Sequence, residues 1–260
     1  MSETNPRVVG CSVKGPKHKR REQPCEDATD SIELGDDRFV IAVADGLGSA
    51  KYAEKGSQLA TEEATEFFKS QLESNENIFE DSYEDVIYNG FETIRGKLSN
   101  KAEDLETDVS NLGTTLLIII GDSTHLVGGV VGDGGIVYQE ENDEEDYHQL
   151  VTKESEYLDM ENTTATYPLH HPEWKKSYRH EHVENYSSAA VFTDGFDELV
   201  YEEDLSPDSE FFGAIFELVR DQPDVESAKE LMKEIFDDSP YVKFSDDKTI
   251  SVVTTNVETE

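Results

Sequence analysis

Short apolar runs and longer amphipathic segments follow one another along this chain in an order that predicts its fold. The short runs are rich in β-branched residues and predict strands, at Val8–Val13, Phe39–Ala44, Thr115–Ile120, Leu126–Val131, Ala189–Thr193 and Ile250–Thr254. Apolar residues spaced three and four apart predict helices instead, over Tyr52–Leu72, from Tyr83 onward, over Phe211–Val219 and over Ala228–Phe236.

Strands and helices do not alternate strictly in this order, which runs strands, two helices, strands, an irregular stretch, a strand, two helices and a strand. A doubly wound parallel sheet is therefore unfavourable, and an antiparallel α+β layer fold is expected. The stretch at about 140–187 is polar and lacks firm periodicity, so it predicts an insertion or flap over one edge. We expect a single domain spanning residues 1–260.

The charge balance narrows the choice of partners. The 260 residues include 22 Lys and Arg against 59 Asp and Glu, a formal net charge of −37. Such a surface disfavours nucleic acid and anionic lipid, both of which attract basic residues. The acidic residues are spread along the whole chain, and their repulsion is relieved when salt screens it. This spread favours a salt-adapted cytoplasm.

The remaining composition agrees with an intracellular protein. Two cysteines are too few for a disulfide scaffold and fit a reducing compartment. The sequence has no signal-like N-terminal stretch, and no run approaches the ~20 apolar residues of a membrane span. We expect a soluble, cytoplasmic monomer with no nucleic-acid or membrane partner.

Acidic residues stand where four of the apolar runs begin or end. Asp45-Gly46, Asp133-Gly134 and Asp194-Gly195 each follow a run, and Asp246-Asp247 precedes the last one. A single Asp-Gly is usually only a turn, because both residues tolerate positive φ. Gly35-Asp36-Asp37 is interpreted in that way. Four acidic strand ends that meet at one rim predict a binding site instead.

A cluster of carboxylates needs a cation, since like charges raise one another's pKa. Oxygen ligands without cysteine or a required histidine favour Mg²⁺ or Mn²⁺ over Zn²⁺. Five cations precede Glu26-Asp27 within eight positions, namely Lys14, Lys17, Lys19, Arg20 and Arg21. They are either a solvated loop or a contact for an anionic substrate. If these residues contact an anionic substrate, two hard cations beside them predict hydrolysis of phosphate monoesters.

Six short motifs in order resemble those of the type 2C metal-dependent protein phosphatases, across almost the whole chain from about Val9 to Val253. The central one is Val43-Ala44-Asp45-Gly46-Leu47-Gly48-Ser49, and its continuation to Gly56 is similar to the prokaryotic branch. The other five are Glu26-Asp27-Ala28, Gly113-Thr114-Thr115, Gly132-Asp133-Gly134, Phe192-Thr193-Asp194-Gly195 and Asp246-Asp247-Lys248-Thr249.

The resemblance implies a four-layer α-β-β-α sandwich of two antiparallel sheets flanked by helices. It also implies that Asp45 bridges two ions, with Glu26 and the Gly46 carbonyl completing one site. Asp194 and Asp246 would hold the other ion, and Asp133 a third, weaker one. Asp27 would orient a metal-bound water that attacks the phosphorus of a phosphoserine or phosphothreonine protein directly.

Three positions depart from the family pattern. Glu22 stands where many members have an arginine that grips the phosphate, which leaves His18, Arg20 or Arg21 as candidates for that role. Leu47 stands where some members carry a histidine proposed as the general acid, which predicts slow turnover of poor leaving groups. Glu198 replaces a common aspartate near the third ion, with Asp197 beside it.

Two other functions stay open. One is a phosphatase-like regulator that binds a phosphorylated partner without hydrolysing it, and the other is a phosphatase of small molecules. A zinc site in the flap is disfavoured, because the spacing of the histidines there matches no structural zinc pattern and no cysteine joins them. These histidines are His170, His171, His180 and His182.

Overall fold

The computed structural model describes residues 6–141, 146–151, 167–202, 204–238 and 246–255. The strands in these residues are β1 Arg7–Val13, β2 Ala28–Glu33, β3 Phe39–Ala44, β4 Leu116–Gly121, β5 His125–Val131, β6 Gly135–Glu140, β7 Tyr147–Val151, β8 Tyr178–Glu184, β9 Tyr186–Phe192 and β10 Lys248–Thr254. The helices are α1 Pro16–Arg21, α2 Ala53–Ser74, α3 Ile78–Asp81, α4 Tyr83–Asp104, α5 Asp197–Val200, α6 Ser209–Asp221 and α7 Val225–Asp238.

These strands form two five-stranded sheets in which every described pairing is antiparallel. One sheet has the order β1-β10-β9-β6-β7 and the other β2-β3-β4-β5-β8. The outer strand β1 lies beside β10, so the two ends of the chain meet in one sheet, with Val13 opposite Lys248.

The core consists of three apolar layers, which make the molecule a four-layer α-β-β-α sandwich. Strand β3 shows why: all six of its residues are buried. Phe39, Ile41 and Val43 pack between the sheets, whereas Val40, Ala42 and Ala44 pack against α2 and α4. The other sheet packs its outer face on α6 and α7. A strand that is covered on both faces has a continuous apolar run in its sequence. The two sheets with helices on their outer faces confirm the predicted fold class.

All six predicted strands and all four predicted helices are present. The hairpin between β2 and β3 turns at Asp36 and Asp37, which have φ of 61° and 58°, so the predicted turn is also confirmed. The sequence did not indicate β2, β6, β7 or β8. Three of these are edge strands, and edges carry polar side chains that break the apolar pattern.

The predicted flap at 140–187 contains more regular structure than its sequence suggested. Strand β7 closes one sheet, β8 closes the other, and β9 begins at Tyr186. In the chain between β7 and β8, Trp174 is buried in the apolar layer that contains α4. The parts of the proposed flap at 142–145 and 152–166 lie outside the described residues.

Among the described residues, no helix combines the length and apolar character that crossing a membrane requires.

Candidate metal centre

The backbone of Asp45 is held rigidly at the end of β3. Its N–H donates to Thr115 Oγ1 at 2.9 Å. Its carbonyl oxygen accepts from the Thr115 N–H at 2.8 Å and from Thr114 Oγ1 at 2.9 Å. The Gly113-Thr114-Thr115 motif therefore clamps Asp45, which gives its side chain a fixed direction.

Asp45 lies in a group of three carboxylates. One oxygen each of Asp45, Asp133 and Asp194 lies within 4.8 Å of the others. Asp133 follows β5 and Asp194 follows β9, so both sheets contribute to the group. Burial raises the pKa of Asp45 well above its ordinary value, and the charges of Asp27, Asp194 and Asp133 raise it further. The fold thus holds like charges together against their repulsion.

Asp27 lies behind Asp45 and is almost fully buried, at 6% exposed. Thr193 Oγ1 donates to Asp27 Oδ2 at 2.8 Å, and the same hydroxyl oxygen accepts from the Thr249 N–H at 3.0 Å. The carboxyl groups of Asp27 and Asp45 are close enough for each to shift the pKa of the other. Burial raises the pKa of Asp27 as well, so the pair retains a proton more strongly than free carboxyls do.

Asp247 fixes the backbone of Glu26 from within the protein. Asp247 Oδ2 accepts from the Glu26 N–H at 2.6 Å, and Oδ1 accepts from the Gly15 N–H at 2.7 Å. His18 Nδ1 lies 2.8 Å from Asp247 Oδ2, and His18 Nε2 lies 3.6 Å from Glu26 Oε2. Burial raises the pKa of Glu26. The sequence motif contained Asp247, but nothing in it showed that this residue supports Glu26.

The cations before Glu26 separate into different environments. His18 is only 2% exposed, and its ring lies between Asp247 and Glu26, so its placement argues against direct contact with phosphate. Arg20 and Arg21 are exposed in the last turn of α1. Lys17 is closer to the carboxylates: a Cβ built on Gly48 would lie 3.6 Å from both Lys17 Nζ and Glu26 Oε2.

Asp246 is exposed and is not in the group of three carboxylates found among the described residues. The backbone segment that contains Asp246 nevertheless packs in space against the segment that contains Asp194. A Cβ on Gly195 would lie 2.1 Å from the Asp247 carbonyl oxygen, so the turn after β9 packs directly on the segment before β10. Lys248 follows and is buried beside these aspartates, where desolvation lowers its pKa.

This donor set fits hard divalent cations. The three carboxylate oxygens within 4.8 Å of one another are the ligand type that Mg²⁺ and Mn²⁺ prefer. The pKa of Asp45 is raised by burial and by the charges of its acidic neighbours, and a bound cation would relieve both effects. Glu26 and the exposed Asp246 border the same region, so further oxygen donors are available.

Gly46 is required because two backbone segments meet on it. A Cβ there would lie 2.6 Å from the Glu26 carbonyl oxygen and 2.7 Å from that of Ala53. Gly46→Ala is therefore expected to destabilise the protein by about 1–3 kcal/mol through overpacking and to impair activity by displacing Glu26. Urea unfolding and hydrolysis of p-nitrophenyl phosphate measure the two effects.

Gly96→Ala is the matched control, because a Cβ at this position in α4 meets nothing within 4 Å. It should stabilise the helix by about 0.5–1 kcal/mol. If Gly46→Ala were as stable and as active as the parent protein, the close packing at Gly46 would be irrelevant to the site.

Two packed antiparallel sheets, flanked by helices and with carboxylates gathered at their strand ends, define an α-β-β-α sandwich with an acidic site. Residues 14–237 match the model of the protein phosphatase 2C family, and the chain belongs to that family. The resemblance to this family that the six ordered motifs carried is thereby confirmed.

Individual relatives agree with this assignment. The chain is similar to serine/threonine-protein phosphatase 3 of Escherichia coli (strain K12), with 27% identity over 95% of this chain and 97% of the relative. In fold it is similar to a bacterial serine phosphatase, with a TM-score of 0.66, 16% identity and coverage of 97% and 99%. It is also similar to RsbX in complex with magnesium, with a TM-score of 0.55, 14% identity and coverage of 98% of both chains.

Proposed function

We propose that this chain is a metal-dependent phosphomonoesterase that removes phosphate from phosphoserine and phosphothreonine in proteins. The observation that carries the proposal is the group formed by Asp45, Asp133 and Asp194, whose oxygens lie within 4.8 Å of one another at the end of both sheets. The name of the E. coli relative supports the class of substrate.

The ligand assignment follows the acidic strand ends. Asp45 would contact two ions, with Glu26 and the Gly46 carbonyl on one side and Asp194 and Asp246 on the other. Asp133 would hold a third ion. Mn²⁺ or Mg²⁺ suits these oxygen donors, and the magnesium in the RsbX complex is consistent with that choice. Bound ions of this kind lower the pKa of water and offset charge on phosphate oxygens.

The chain's own groups would orient the reactants. Asp27 is fixed by Thr193 at 2.8 Å and would accept a hydrogen bond from a water beside Asp45. His18 and Asp247 would hold Glu26 in position rather than touch the substrate, since both are buried. We propose Lys17, together with the exposed Arg20 and Arg21, as a residue that contacts the substrate's phosphate group. Lys17 Nζ and Glu26 Oε2 border the same space above Gly48.

The direct test is hydrolysis with and without divalent cations. Phosphoserine and phosphothreonine peptides and p-nitrophenyl phosphate should be hydrolysed in Mn²⁺ or Mg²⁺, and hydrolysis should fall to background in EDTA because the carboxylates alone only repel the substrate. The aryl ester should react fastest, since Leu47 offers no proton to a poor leaving group. Phosphate release from each substrate, with divalent cation and with EDTA, measures both points. Repeating the assay in high and low salt tests the expectation of salt adaptation.

The outcomes separate the alternatives. Equal rates of hydrolysis in EDTA and in Mn²⁺ would contradict the metal-dependent mechanism. Tight binding of a phosphopeptide without hydrolysis would favour a regulator, and faster release from phosphorylated metabolites would favour a small-molecule phosphatase. The expectation of a salt-adapted, cytoplasmic monomer remains a prediction, and the low-salt and high-salt rates bear on its first part.

A further inference from the structure

Two histidines and a glutamate meet at the far end of β5 from Asp133. In the antiparallel pair β5–β8, His125 lies opposite Glu184, and His182 lies opposite Val127. Residues opposite each other, and residues two apart, share a face of the sheet. Val127 packs in the layer beneath α2 and α4, so all three polar side chains are on the helix-facing side.

Their ligand atoms are close together. One ring nitrogen of each histidine and one carboxylate oxygen of Glu184 lie within 4.8 Å of one another. The His125 and His182 rings stack with centroids 5.6 Å apart. Phe79 stacks on His125 at 5.1 Å, and Tyr83 packs on His182 at 5.0 Å. The aromatic rings restrict both imidazoles to this arrangement.

The hydrogen bonding of the two imidazoles leaves one nitrogen unexplained. His125 Nδ1 lies 3.2 Å from both carboxylate oxygens of Asp122. His182 Nε2 is buried and has no hydrogen-bond partner among the described residues. A buried polar atom without a partner is unfavourable, and a bound ion or water would satisfy it.

We propose that His125, His182 and Glu184 form a zinc-binding site separate from the acidic centre. Two imidazoles and one carboxylate suit Zn²⁺, whereas an all-oxygen site suits Mg²⁺ or Mn²⁺. The contact between Asp122 and His125 resembles the carboxylate–histidine pairs that orient metal-binding imidazoles. Ligand atoms around one tetrahedral zinc are roughly 3.3 Å apart, and rotation of the exposed Glu184 side chain can shorten its distances.

The position of the site assigns it a structural role. Strand β5 has seven residues, and His125 is its first, so the site is separated from the Asp133 end by roughly 20 Å. It joins the edge strand β8 to β5 next to α3. Zinc bound there would anchor an edge strand that carries few apolar side chains, without contributing to the hydrolytic centre.

The test measures zinc binding by the full chain in excess Mg²⁺, which is added to compete with zinc for the carboxylates of Asp45, Asp133 and Asp194. After dialysis against a buffer that holds free zinc at a low micromolar level, metal analysis should give one zinc per chain. His182→Gln and Glu184→Gln should each weaken binding at least tenfold, and Glu184→Gln changes an exposed side chain. Cobalt in place of zinc should give visible absorption bands that these variants lose.

His180→Gln is the matched control. His180 lies on the same strand and the same face, two residues from His182, but is outside the group of close ligand atoms found among the described residues. It should keep the zinc and the bands. Zinc content equal in parent, His182→Gln and Glu184→Gln proteins would overturn the proposal, as would equal loss in His180→Gln or release of all zinc at micromolar free metal.

Discussion

Replacing Asp45 by Asn should reduce turnover of p-nitrophenyl phosphate by about 1,000-fold or more, the scale on which loss of one essential group disables a catalytic constellation. Asn keeps the size of the side chain and one oxygen but removes the negative charge. Asp45 is proposed to contact two cations at once, so this single charge affects both. Initial rates in saturating Mn²⁺ measure the effect.

The same substitution should make the metal-free protein more stable. The pKa of Asp45 is raised by burial and by Asp27 and Asp194, so the folded state binds the proton more tightly than the unfolded state does. Stability in EDTA should therefore fall as pH rises from the ordinary value of 3.8 through the raised pKa. The amide in the Asp45→Asn variant carries no charge, so the stability of that variant should fall less over the same range. Urea unfolding at several pH values measures this difference.

Asp36→Asn provides the control. Asp36 is in the β2–β3 turn with φ of 61°, which Asn tolerates, and its side chain is 90% exposed beside Arg38. Activity should change by less than about twofold, as is usual for exposed surface positions. Substantial activity in Asp45→Asn, or a similar loss in Asp36→Asn, would remove Asp45 from the centre of the mechanism.

The strands that could be predicted from the sequence are those buried on both faces, because their residues form continuous apolar runs. Strand β3 is apolar at every position because helices cover one side and a sheet covers the other. Strand β8 reads Tyr-Arg-His-Glu-His-Val-Glu and contains no fully buried residue. A strand at an edge, packed under aromatic rings and ionisable groups, has no apolar pattern to detect.

The acidic centre was predictable in part for a related reason. Asp45 and Asp194 follow buried strands, so repetition of one local pattern indicated that they meet. Asp247 and His18 are 229 residues apart and touch only because β1 pairs with β10. No local pattern records such a contact. His125 and His182 are likewise brought together by strand pairing, which explains why the spacing of the flap histidines was uninformative.

Asp246 and Asp247 allow the support of the site to be separated from its chemistry. Asp247 is 3% exposed and accepts hydrogen bonds from the backbone of Gly15 and Glu26. Asp246 is exposed, and its side chain accepts a hydrogen bond from the Asp247 N–H at 3.1 Å. Adjacent residues of the same type therefore have opposite environments.

Asp247→Ala should lower the free energy of unfolding by about 3 kcal/mol or more, because it leaves buried donors at Gly15, Glu26 and His18 without an acceptor. Asp246→Ala should change it by less than about 0.5 kcal/mol in EDTA yet weaken Mn²⁺ binding and activity, since it removes a proposed ligand. Urea unfolding in EDTA and Mn²⁺ titration of both variants separate the effects. If both variants lost stability equally in EDTA, Asp247 would not be the internal support of Glu26; if Asp246→Ala bound Mn²⁺ normally, Asp246 would not be a ligand.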